Sequence, residues 1–92
     1  MSYSIVDPIL ECWAKDHGLI IQKIFKDVEV RSIEMVSPHG KRFQIWIEEP
    51  DQAGNTCVHV WDMKKKKRDF TANKTSLKNS LEEAYQQAQS WF

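Results

Sequence analysis

The sequence has little of what specialised small folds depend on. Its 92 residues include two cysteines, three glycines and three prolines. Two cysteines cannot build a disulfide-rich scaffold. Neither a C-x-x-C nor an H-x-x-x-H spacing is present, so four-ligand zinc chemistry has no starting point, and no metal or cofactor is expected. Gly18, Gly40 and Gly54 are too far apart to form a glycine-rich phosphate loop. No apolar run approaches the ~20 residues of a membrane span. The opening MSYSIVDPIL has no basic stretch followed by an apolar one, so no secretory leader is expected. The expectation is a soluble cytoplasmic chain with Cys12 and Cys57 as buried or semi-buried thiols in a reducing compartment.

What is present is an ordinary globular balance, 41% hydrophobic and 28% charged, which excludes wholesale disorder. Ninety-two residues make a single domain, 1–92, with one core. The net charge is zero, so the molecule has no overall field to steer a polyanion towards it. That zero hides a segregation. Between Phe43 and Met63 lie Glu48, Glu49, Asp51 and Asp62 with no lysine or arginine; then come Lys64, Lys65, Lys66, Lys67 and Arg68 in succession.

Periodicity predicts a helix over 5–17. Ile5, Ile9, Cys12 and Trp13 recur at helical spacing, with Ser4 or Asp7-Pro8 as start and Gly18 as stop. After Gly18 the period becomes two. Strands are predicted at 19–25, 28–36, 41–49 and 55–63, joined by Lys26-Asp27, Ser37-Pro38-His39-Gly40 and Pro50 to Gly54. The second strand slips phase, so a bulge near Arg31-Ser32 is needed to bring Val28 and Val30 onto the face of Ile33 and Met35. A final helix begins at Thr75 or Ser76 and carries Leu77, Leu81, Ala84, Tyr85, Ala88, Trp91 and Phe92 as its apolar stripe. The expected fold is α+β: a two-layer sandwich, helix–β4–helix, with a four-stranded antiparallel meander and both helices on one face.

That architecture sorts the strand residues. If Phe43, Ile45, Ile47, Val58 and Val60 face the helices, then Gln44, Trp46, Glu48, Cys57, His59, Trp61 and Met63 lie on the opposite face. Two tryptophans on an uncovered sheet are more apolar surface than a monomer usually shows, and such patches are contact sites. Trp46, His59 and Trp61 are therefore the candidate protein-binding residues, for another protein or for a second copy of the chain. The reading is of a small non-catalytic interaction domain.

The alternative reading is nucleic-acid binding, to RNA or DNA, through Lys64, Lys65, Lys66, Lys67 and Arg68 with His39. Adjacent cations stay hydrated and contact phosphates through counterion release. The competing explanation is a solvated run that keeps a sheet edge soluble. Helix–strands–helix, with His39 in a hairpin turn and lysines ahead of the last helix, resembles the layout of the double-stranded-RNA-binding domain. That resemblance implies a minor-groove role for His39 and phosphate contacts for Lys64 to Lys67. The chain departs from the family in having a fourth strand, in placing its lysines about ten residues before the helix, and in Glu82-Glu83 within it.

An enzyme is not expected. Cys57 and His59, two apart on a strand, lie roughly 6–7 Å apart, beyond hydrogen-bond reach. Glu48 and Glu49 are adjacent and point to opposite faces.

Overall fold

The computed structural model describes residues 3–92. A 3₁₀ turn, Tyr3–Ile5, leads into helix α1, Asp7–Asp16. Five strands follow: β1 Ile21–Phe25, β2 Val28–Val36, β3 Arg42–Ile47, β4 Thr56–Trp61 and β5 Lys67–Ala72. Helix α2, Leu77–Ser90, closes the chain. The strands form one antiparallel sheet in the order β1-β2-β3-β4-β5, a meander.

The α+β class is as expected, but the sheet has five strands where four were predicted. The fifth lies in the segment read as a charged loop. In β5 only Phe70 and Ala72 are apolar, because an edge strand has one neighbour and buries only part of one face. Register with β4 places Arg68, Phe70 and Ala72 beside Val60, Val58 and Thr56, and Lys67, Asp69 and Thr71 beside Trp61, His59 and Cys57. The placement of the helices also differs from the expectation of both helices packed on one face of the sheet. α2 lies across β3, β4 and β5, whereas α1 packs chiefly on α2. The β1 edge is left outside their cover. Ile20, Ile24, Phe25 and Val28 are exposed, although 19–25 reads as an apolar strand.

The predicted bulge forms, with a different outcome. Register between β1 and β2 shifts between Gln22 and Ile24, so Val30 and Arg31 together oppose Lys23. Val28 stays exposed, and it is Arg31 that becomes buried. Its guanidinium forms a two-pronged ion pair with Asp7, Nε to Oδ1 at 2.7 Å and Nη2 to Oδ2 at 3.0 Å, and stacks over the Tyr3 ring. Asp7 therefore anchors α1 to the sheet instead of completing a capping box; Val6 occupies the N-cap position without a side-chain cap.

The C-terminus of α1 follows the sequence. Gly18 has φ +66°, its N–H reaches the Lys15 carbonyl, and the Leu19 N–H reaches that of Ala14 at 2.8 Å, a Schellman closure. At α2 Ser76 is the N-cap residue, one of the two expected, but its side chain makes no capping bond; Asn73 Oδ1 instead accepts from the backbone N–H groups of Thr75 and Ser76. Between the helices, Glu82 Oε1 accepts from the buried Trp13 indole at 3.1 Å and lies 2.8 Å from His17 Nε2. The core gathers Val6, Leu10 and Trp13 of the first helical segment, Ile33, Phe43, Ile45, Ile47, Val58 and Val60 of the sheet, and Leu77, Leu81, Ala84 and Ala88 of α2.

Candidate functional site

Strand alternation builds the site. Because Phe43, Ile45, Ile47, Val58 and Val60 are taken into the core, the residues between them stand on the face away from it. Trp46, Cys57, His59 and Trp61 are half-buried there. Register puts Trp46 directly opposite His59, and Gln44 opposite Trp61. The Trp46 and His59 rings stack with centroids 4.8 Å apart, and Trp61 meets Trp46 edge-on at 6.2 Å. The Trp61 indole N–H donates to Gln44 Oε1 at 2.8 Å, while Lys67 Nζ sits 5.6 Å from the Trp46 ring centroid. The three residues singled out from sequence thus form one contiguous aromatic platform.

His59 is clamped. Its Nδ1 bonds to Asp69 Oδ1 on β5, and its Nε2 bonds to Glu48 Oε2 at 2.6 Å. The ring is thus held from both edges, by a carboxylate of β5 and by one that follows β3. The hydrogen bond from His59 holds the Asp69 carboxyl below its ordinary range. Asp69 is a site residue that sequence reasoning missed, since its role depends on the unrecognised fifth strand.

The carboxylates occupy opposite edges of the imidazole, so they do not converge on a point where a cation could sit. Among the described residues no group of three or more His, Cys, Asp or Glu is arranged to hold a metal. Burial pushes the Cys57 thiol up, and the neighbouring Glu48 and Asp69 carboxylates add to it. Both cysteines are free, Cys57 half-buried and Cys12 exposed, so Cys12 departs from the buried thiol expected.

Beside the platform runs a trough of about 720 Å³. Tyr3, Phe25, Val30, Ser32, Trp46 and Met63 are among the residues that line it. Phe25 is 54% exposed and Met63 38%, so the trough offers large apolar side chains to solvent. Glu48 and Glu49 also line it, and with Glu29 they lie near the Tyr3 hydroxyl, which burial and then Glu49 push above its ordinary value. Tyr3, Phe25 and Val30 were not foreseen as site residues; Phe25 read as the last residue of the first strand, and its place before a two-residue turn is the signal of exposure.

The alternative set is divided by the fold. Lys67 and Arg68 belong to β5, where their cross-strand partners put them on opposite faces, Arg68 bonding Gln87 of α2 at 2.7 Å. Lys64, Lys65 and Lys66 form the exposed turn between β4 and β5. His39 lies in the turn between β2 and β3, at the same end of the sheet, and together with Lys64 and Lys66 lines a groove of about 570 Å³. No helix among the described residues is long and apolar enough to cross a membrane. In comparisons with protein-family models, curated proteins and solved structures, nothing matches this chain significantly.

Proposed function

We propose that this chain is a non-catalytic cytoplasmic interaction module whose helix-free sheet face is the contact surface for a protein. The observation that carries the reading is the trough, which Trp46, Phe25, Val30 and Met63 line, with Trp46 stacked on a histidine held between two carboxylates. Aromatic residues on a rigid platform are the usual anchors of protein contacts, because they bury much area while losing little side-chain freedom. The stacking and hydrogen bonds of Trp46, His59 and Trp61 hold those anchors in place before a partner arrives, which lowers the entropy cost of binding.

The first occupant to consider is a second copy. Glu48 and Glu49 follow the C-terminal end of β3, whereas Lys67 begins β5 and Arg42 begins β3 at the opposite end of the sheet. Two faces stacked with their strands reversed therefore oppose carboxylates to cations, which favours one orientation of the pair. The test is sedimentation velocity across a concentration series extending into the millimolar range. The expected result is a coefficient that rises from monomer to dimer, with the rise weakened by added salt. A monomer at every concentration, with Trp46 and Trp61 shielded from a soluble quencher, contradicts the reading.

A further inference from the structure

A second groove lies at the end of the sheet where β2 and β4 finish, and it meets the trough at Met63, which lines both. Two hairpin turns border it, 37–41 between β2 and β3 and 62–66 between β4 and β5, with Trp91 after α2. His39, Lys41 and Arg42 come from the first side, and Lys64 and Lys66 from the second. Strand order explains the convergence: β2 and β4 run in the same direction, so the turns that follow them emerge together. Residues more than twenty positions apart in sequence thus build one basic concavity.

Both turns are braced from within. Ser37 Oγ accepts from the backbone N–H of His39 and Lys41, and Asp62 Oδ1 accepts from those of Lys64 and Lys66. The Asp62 carboxylate, which faces the same groove, is therefore engaged by the turn. Arg42 is shared with Glu34 at 3.2 Å. Lys41, Lys64 and Lys66 have no carboxylate within ion-pair distance among the described residues. Edge protection explains Lys67 and Arg68, which lie on the outermost strand. It does not explain Lys64 and Lys66, which lie in the turn and border the groove opposite His39.

We infer that this groove is a binding site for a chain of phosphates, with Lys41, Lys64 and Lys66 neutralising successive phosphates and His39 supplying a further donor. The buried Phe43 and half-buried Trp91 leave little free ring surface for base stacking, so recognition is of charge and spacing rather than of sequence. A nucleic-acid backbone and inorganic polyphosphate share this chemistry.

The test is a ¹H–¹⁵N amide spectrum of the whole protein, titrated separately with single-stranded RNA, duplex DNA and inorganic polyphosphate at low and moderate salt. The expected result is salt-sensitive shifts confined to the two turns and Trp91. In the double variant Lys64→Gln, Lys66→Gln the shifts are lost or the salt dependence of the affinity falls by about two units of slope. Its spectrum otherwise matches wild type, because Asp62 is bonded to backbone N–H groups that the substitutions keep. Saturation by RNA or DNA alone assigns a nucleic acid, and saturation by polyphosphate alone assigns the free polymer. No shift at low salt with any of the three, or shifts that persist unchanged in the double variant, overturns the site.

Discussion

Asp7→Ala lowers the unfolding free energy by about 3 kcal/mol, the lower end of the cost of leaving one member of a buried ion pair alone. The lower end applies because the Asp7 side chain is 22% exposed, whereas that of Arg31 is only 7% exposed. Without the carboxylate the guanidinium keeps the Val30 carbonyl and the Tyr3 ring but loses its counter-charge. For a domain of this size that loss is a shift of roughly 12–24 °C in Tm. The double variant Asp7→Ala, Arg31→Met removes both charges and fills a similar volume, and it recovers to within about 1–2 kcal/mol of wild type.

The pH dependence of the same pair has a definite sign. The hydrogen bond from Arg31 is the main reason the Asp7 carboxyl is held below its ordinary value of 3.8. A carboxyl depressed on folding contributes stability that is present above that value and lost as pH falls through the lower folded one. The gap between wild type and Asp7→Ala therefore narrows in acid, below about pH 4. Thermal unfolding of the three proteins at several pH values checks all of this. A single variant no less stable than the double one contradicts the assignment of the ion pair as the tie between α1 and the sheet.

Trp46→Ala is expected to weaken the proposed protein contact by about 2 kcal/mol or more, roughly 30-fold in dissociation constant. Trp46 is the residue that the rest of the platform is built around: His59 stacks on its face, Trp61 meets its edge and Lys67 lies over it. Truncation removes the anchor and also frees His59 from its stacking partner. Because Trp46 is only half-buried and on the face away from the core, the fold loses less than it does on truncation of Trp13, which is 2% exposed and packs against Tyr85 and Glu82 of α2. Dimerisation measured by sedimentation, alongside the melting temperature, separates the two effects. An unchanged association constant in a folded variant contradicts a central role for this residue.

The sequence and the structure agree where one face of an element is decisively apolar. α2, β3 and β4 carry clean stripes, so their existence, their buried faces and the platform of Trp46, His59 and Trp61 are legible from spacing alone. α1 is legible as a helix, but of its predicted stripe Ile5 and Cys12 are exposed, and the buried face is Val6, Leu10, Trp13 and Ala14. Legibility fails at the sheet edges. β5 buries little more than Phe70 and Ala72, so its lysines and Asp69 read as loop; β1 is apolar but lies beyond the helices and stays exposed. The clamp on His59 was hidden for the same reason, because Asp69 reaches it only through cross-strand register. The Asp7–Arg31 pair was hidden because it joins residues 24 positions apart, and a helix-start aspartate before proline reads locally as a cap.

Site-specific photo-crosslinking tests the contact face most directly. A photoreactive residue replaces Glu34, which lines the trough, and in a control replaces Lys78, exposed on α2. Irradiation is carried out in the cells that make the protein and repeated with the pure protein. The account predicts a discrete protein adduct from position 34, the pure protein giving its own dimer, with a much lower yield when Trp46→Ala is added and none from position 78. Equal labelling from the two positions, or an adduct from position 34 that is indifferent to Trp46→Ala, contradicts it.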